Sequence, residues 1–163
     1  PSVTLLAKVA GYKTFWISNQ HDRYINNRFA HEADVTAFLN TGGRRSDRSL
    51  DERLLPAWES ALRDPAPKKF IIVHLLGAHP HYEQRRPADF NAFTGASDAV
   101  SSEMKSAGRM PWIVAMRNEY DNALLYHDSV VARLLDGFVQ DQGAHASHFL
   151  YTCLLYTSPS PRD

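Results

Sequence analysis

Cysteine is almost absent. Cys153 is the only one in 163 residues, so no disulfide framework can staple the fold and redox compartment cannot be read from thiols. An excess of charge of either sign is absent too. Eighteen Lys and Arg against eighteen Asp and Glu leave no basic stripe for nucleic acid and no acidic arm. No apolar run approaches the ~20 residues of a membrane span, and no signal-peptide pattern opens the chain. An initiator methionine is missing as well: Pro1-Ser2 enters a helical pattern at once, which reads as a start inside a domain. No internal repeat is visible. The length suits one core and is too short for two comfortable domains.

The clearest positive signal is Lys69 to Pro87, KFIIVHLLGAHPHYEQRRP. Phe70, Ile71, Ile72 and Val73 form an apolar run without polar alternation, which predicts a strand over 69–76 covered on both faces, at the centre of a parallel sheet. Gly77 and Pro80 end it. His74, His79 and His81, with Tyr82, Arg85 and Arg86, therefore fall at or beyond the carboxyl end of a buried strand, where open α/β sheets bind ligands. Histidine can ligate a metal or hold a phosphate, and the arginines add fixed positive charge. The pattern suggests chemistry on an anionic ester. Any one of these residues taken alone reads more simply as a core histidine or a solvated loop residue.

Around this strand the periodicity predicts a layered fold. Leu5, Leu6 and Val9 share a helical face over 3–10, with Gly11 placed for a left-handed cap. Lys13 to Ser18 reads as a strand ending in the polar cluster Asn19-Gln20-His21-Asp22. Residues 31–39 read as a short helix stopped by Asn40, and 41–49 as a polar loop. A helix over 50–62 takes Ser49 as N-cap and Glu52 as its capping-box partner, with Pro56 either kinking it or marking its first turn. Residues 82–111 form a long connection of weak periodicity. Over 112–139 the stripe Tyr120, Leu124, His127, Val131, Leu134 and Phe138 predicts a long amphipathic helix, with Gly137 and Gly143 bracketing its end. Residues 148–152 start another strand. The order α-β-α-α-β-α-β indicates an α/β layered fold with a mostly parallel sheet.

Four segments, in order, carry a resemblance: AKVAGYKTFWISNQ (7–20), LDERLLPAWESAL (50–62), HLLGAHPHYEQRRP (74–87) and EYDNALLYHDSVVARLLD (119–136). Together they resemble the periplasmic catalytic domain of the phosphoethanolamine transferases, within the sulfatase and alkaline phosphatase superfamily. The resemblance implies an alkaline-phosphatase-like α/β/α fold truncated at both ends, with residues 1–152 a partial catalytic domain. It also implies zinc-dependent transfer of phosphoethanolamine from phosphatidylethanolamine to lipopolysaccharide, on core heptose or lipid A, through a covalent threonine intermediate. Upstream transmembrane helices would anchor the parent protein in the inner membrane, with this domain in the periplasm. The nucleophile and a glutamate ligand would lie before Pro1. The Asp-His ligand pair would follow the HFLYT segment, where residues 153–163, CLLYTSPSPRD, instead resemble a translated sequencing adapter. On this reading the chain has none of the primary zinc ligands and is inactive by itself.

The resemblance carries one functional position directly. His79 matches the family histidine beside the zinc, which contacts the transferred phosphate or a second metal ion. Asn19 and Gln20, at the neighbouring strand end, are candidates for the pocket rim, though capping that strand is the simpler duty. His74 reads as structural, and His127 as a satisfied core histidine. Tyr120, Asn122 and Asp128 read as holding the long helix against the loops. His81 stands where the family has a small residue. Arg86 stands where it has tyrosine, if Arg85 is aligned. Two other readings remain open: a hydrolase of the same superfamily, and a non-catalytic α/β binding domain.

Overall fold

The structure is a computed structural model that describes residues 1–20, 27–41, 48–95, 97–141 and 146–153. Residues 154–163, His21, Asp22, Gly143 and most of the 41–49 loop lie outside the described residues. The fold is α/β. Helix α1 (Val3–Val9) opens on Ser2, whose side chain accepts from the Leu5 N–H, and ends before Gly11 at φ +82°, the left-handed cap the sequence predicts. Strand β1 (Lys13–Ser18), short helix α2 (Asn27–Ala30) and strand β2 (Val35–Phe38) follow. A 3-10 turn (Asp51–Leu54) leads into α3 (Leu55–Leu62), then β3 (Lys69–His74). A second 3-10 turn (Tyr82–Gln84), α4 (Ala99–Ser106) and the long α5 (Pro111–Gln140) complete the described elements.

The three strands form a parallel sheet in the order β2-β1-β3, with Ser18 opposite both Phe38 and His74. The centre is β1, not β3. Five consecutive residues of β1 are buried, whereas β3 is half-buried throughout. An apolar run shows that a strand can be covered on both faces, but pairing decides which strand occupies the middle. Here β1 fills it although its sequence includes Thr14 and Ser18. Both hydroxyls are satisfied: Thr14 donates to Asp34 at 2.8 Å, and Ser18 lies 3.3 Å from His74 Nδ1 and accepts from the Gln20 N–H at 3.1 Å.

Three other local expectations are corrected. Residues 35–38 are a strand, not part of a helix over 31–39. The Asp34 N–H donates to Thr14 on both its hydroxyl and its carbonyl, locking the segment beside β1, and non-local pairing overrides a weak helical pattern. Ser49 is not an N-cap. Leu50 holds that position without a side-chain bond, because the Ser49 hydroxyl donates to Asn19 at 2.6 Å; Pro56 sits in the first turn of α3. Residues 148–152 carry no strand pairing. Phe149 instead packs edge-on against Trp58 and tilted against Phe138, with ring centroids 6.3 and 5.5 Å apart, leaving a cavity of about 150 Å³ against Ile71, Val73 and Leu75.

Helices α3 and α5 cover one sheet face. Leu55, Trp58 and Leu62 meet Tyr126, Val130 and Leu134, while Phe15 and Ile17 reach Leu54 and Ala61. The buried face of α5 is Val114, Asn118, Asn122, Ala123, Tyr126, His127, Val130 and Leu134. Of the expected apolar stripe only His127 and Leu134 are fully buried. The shift has a polar cause. Asn118 and Asn122 turn inward to bond the backbone of Gly95 and Phe93, so the face that binds the 82–111 connection is not apolar.

Candidate functional site

The site is built where β1 and β3 end side by side. The Asn19 N–H donates to the His74 carbonyl at 2.9 Å, carrying the pairing one residue past Ser18. Gln20 then reaches over to the Leu75 carbonyl through its side-chain amide at 2.6 Å. Beyond this the chain turns at Gly77, φ +61°, a left-handed conformation that glycine adopts without penalty. His79 follows and is exposed, and His81 is exposed too. His81 is a non-glycine residue at φ +71°, positioned at the entry of the 3-10 turn Tyr82–Gln84.

Asp51 organises this strand end. It is 5% exposed and accepts three hydrogen bonds. Oδ1 takes the Asn19 side-chain amide at 2.8 Å and the Leu76 N–H at 2.9 Å. Oδ2 takes the Gly77 N–H at 2.7 Å and faces His127 Nδ1 at 3.9 Å, the last being longer than a hydrogen bond. Burial works to raise this carboxyl. The His127 ring and the bonds from Leu76, Asn19 and Gly77 outweigh burial and hold it below the ordinary carboxylate range. A buried carboxylate is costly unless its lone pairs are filled, and here the Asn19 amide and the Leu76 and Gly77 backbone that leads to His79 fill them.

Asn19 is fully buried, and its amide is engaged within the protein: it donates to Asp51 and the Ser49 carbonyl and accepts from the Ser49 hydroxyl. It supports the strand end from beneath. Gln20 ties β1 to the Leu75 backbone. His74 is half-buried, 3.3 Å from Ser18 and edge-on to Trp16, as a structural histidine would be.

The arginines do not present free charge to the strand end. Arg86 is buried in a two-pronged pair with Glu119, 2.7 and 3.2 Å, and donates to the Phe90 carbonyl at 2.9 Å. Arg85 is buried and donates to the Pro80 carbonyl. Burial pushes the Arg85 guanidinium down, with Asp51 and Glu83 opposing that. Tyr120 stacks edge-on against Tyr82 at 5.2 Å, and Asn122 bonds Asn91 and Phe93, so both hold α5 to the connection. Asp128 is exposed.

Sequence reasoning assigned no role to Asp51, although it lies in the segment LDERLLPAWESAL. The signal that would have found it is an acidic residue at a helix entry facing a glycine turn. His127 is only partly the satisfied core histidine expected. Nε2 lies 2.8 Å from the Tyr151 hydroxyl, while the buried Nδ1 has no hydrogen-bond partner among the described residues. Partial burial, with Cys153 adding to it, pushes the Tyr151 phenol up to about 12.

Comparison with known proteins fits this architecture. The model of the sulfatase family matches residues 1–153. Phosphoethanolamine transferase EptC of Escherichia coli K12 is 39% identical over 142 residues, covering 85% of this chain and 24% of EptC. Phosphoethanolamine transferase CptA of Salmonella typhimurium LT2 is 40% identical over 129 residues, covering 77% of this chain and 22% of CptA. The crystal structure of the C-terminal periplasmic domain of E. coli EptC in complex with Zn superposes with a TM-score of 0.76 at 39% identity, over 85% of this chain and 38% of that one. The corresponding domain of EptC from Campylobacter jejuni superposes at 0.60 and 26% identity, over 85% and 41%. The chain thus spans about a quarter of the length of its curated relatives. With a parallel sheet, a polar strand end and a match along nearly all of its described length, the chain belongs to the sulfatase family.

Proposed function

We propose that this chain is part of the catalytic domain of a phosphoethanolamine transferase, which moves the phosphoethanolamine group of phosphatidylethanolamine to a lipopolysaccharide acceptor, core heptose or lipid A. The observation that carries the reading is the likeness to the EptC domain in sequence and fold together, with His79 exposed at the strand end that the Asp51 bonds shape. His79 contacts the transferred phosphate: protonated it offsets phosphate charge, neutral it accepts a proton or ligates. Asn19 and Gln20 serve it by fixing the two strand ends rather than by touching the substrate.

Zinc belongs to the reading as a property of the whole protein. Bound beside the phosphate, it would act as a Lewis acid on the phosphoryl oxygens. Among the described residues no three of His, Cys, Asp and Glu come together as a metal site, so these residues do not by themselves fit one and no step is derived through the metal. The threonine nucleophile and the zinc ligands are proposed to lie outside this chain. Likewise we take residues 1–152 as a partial sulfatase-like domain and 153–163 as a foreign tail. No described helix is long and apolar enough to cross a membrane; anchoring in the inner membrane with this domain in the periplasm is the proposal for the parent protein.

The test is an assay of the full-length protein containing this chain, with labelled phosphatidylethanolamine as donor and lipopolysaccharide as acceptor. Label appearing on the acceptor, with a mass gain of one phosphoethanolamine, supports the reading. Release of free phosphoethanolamine without acceptor modification would make the protein a hydrolase of the same family. Neither reaction would leave a binding domain.

A further inference from the structure

We propose that His127 is a positioning residue for the transfer reaction, joining the buried Asp51 to the exposed Tyr151 in a brace that sets the His79 turn against residues 146–153. The inference rests on the function proposed above and adds a residue to that site. His127 lies in the middle of α5 and is 9% exposed. Its Nε2 is 2.8 Å from the Tyr151 hydroxyl, and its Nδ1 is 3.9 Å from Asp51 Oδ2. The ring also lies flat enough against the turn that a Cβ on Gly77 would meet Nδ1 and Cε1 at 3.4 Å. One side chain therefore touches the carboxylate that holds the turn, the turn itself and the segment beyond α5.

The chemistry of the two neighbours assigns the proton. An ionised Asp51 only accepts, so Nδ1 carries hydrogen towards it. The Tyr151 hydroxyl then donates to the bare Nε2. A neutral ring in this one tautomer links an acceptor on one side to a donor on the other, which no apolar residue of the same volume can do. The contact to Asp51 is about 1 Å longer than an N–H···O hydrogen bond. Because Asp51 also holds the Leu76 and Gly77 amides, any movement that shortens the contact carries the His79 turn with it. Displacements on the order of 1 Å at a reacting centre change rates about a hundredfold, so the brace acts on the rate of transfer more than on donor binding.

The experiment uses the full-length protein containing this chain, with phosphatidylethanolamine vesicles as donor and lipopolysaccharide as acceptor. It compares His127→Leu, His127→Asn and Tyr151→Phe with the parent. Expected is a fall in kcat of about ten- to a hundredfold for His127→Leu, the range seen when a residue orienting a reactive group is removed. The KM for the donor should stay within about twofold and the melting temperature close to the parent's. His127→Asn keeps an N–H near the Nδ1 position and should recover most of that loss, while Tyr151→Phe should fall between.

Imidazole nitrogen shifts by NMR should report the Nδ1–H tautomer at His127. Equal losses in the leucine and asparagine variants, or normal kcat in both leucine and phenylalanine variants, would reduce His127 to packing and overturn the proposal. So would the Nε2–H tautomer. Should His127→Leu fail to fold, Tyr151→Phe and the tautomer decide. A parent protein that transfers nothing overturns the proposed function instead, whatever the variants do.

Discussion

Two histidines five residues apart differ because of how each leaves the strand. His74 is the last residue of β3, half-buried between Ser18 and Trp16. His79 comes after the left-handed Gly77 and is exposed. If the proposed function holds, replacing His79 by alanine in the full-length protein should lower transfer by about 10²–10³, the cost of losing one group that stabilises developing charge, with little change in melting temperature. His74→Ala should do the reverse, costing on the order of 1–3 kcal/mol in stability as its packing on Trp16 and its contact with Ser18 are lost. Melting temperature and transfer rate for both variants check the pair. Near-normal turnover without His79, and none without His74 in a folded protein, would exchange the two roles.

At the same scale, Asp34 ties α1 and β1 to the start of β2. The Lys8 ammonium first, then the Thr14 N–H and hydroxyl, bring its carboxyl down from 3.8 to about 2. The folded value lies below the unfolded one, so the group's contribution to stability is complete above pH 3.8 and is lost as pH falls towards 2. Melting temperature against pH should drop over that window, and Asp34→Asn should flatten the drop there while lowering stability at neutral pH. An unchanged acid limb in the variant would remove Asp34 from the account.

Among the elements, what was legible in the sequence follows how local the cause is. Helix α1 and its Gly11 cap, strand β1, strand β3 and the long α5 rest on neighbouring residues and are readable as patterns. Strand β2 is not, because Asp34 and Thr14, 20 residues apart, hold it in place. The inner face of α5 is rotated from its apolar stripe since Asn118 and Asn122 are buried to bond loop backbone, which no hydropathy pattern reports. The site divides in the same way: His79 is readable at a strand end, whereas Asp51 gains its role only when Asn19, Leu76 and Gly77 converge on it.

The interface of α3 with α5 gives a prediction of its own. Gly137 is in helical backbone, where alanine is intrinsically favoured by about 1 kcal/mol. A Cβ there would stand 3.2 Å from Trp58 Nε1, and Trp58 is buried with that nitrogen donating to the Leu134 carbonyl at 3.1 Å. The ring cannot give way without losing its bond. Overpacking costs of about 1–3 kcal/mol should exceed the helical gain, so Gly137→Ala should destabilise on balance. A chemical-denaturation midpoint at or above the parent's would mean that the two helices can separate slightly without loss.

For the molecule as a whole, the sheet and the site point the same way. Among the described residues β3 pairs on one side only, although it carries four consecutive apolar residues, Phe70 to Val73. Unpaired apolar strand edges recruit other chains, and a 148–152 segment that packs by Phe149 without a ladder does not protect this one. The site is equally partial: the described residues gather a carboxylate, a glycine turn and His79, but no three metal-binding side chains. The 163-residue chain expressed alone should therefore associate with concentration and bind zinc weakly, because a zinc site needs about four donors to reach useful affinity. Light scattering across a dilution series and titration calorimetry with zinc measure the two together. A reversible monomeric melt would show that β3 needs no second neighbour. Tight one-to-one zinc binding would place a complete ligand set inside this chain, and would overturn the proposal that the ligands lie outside it.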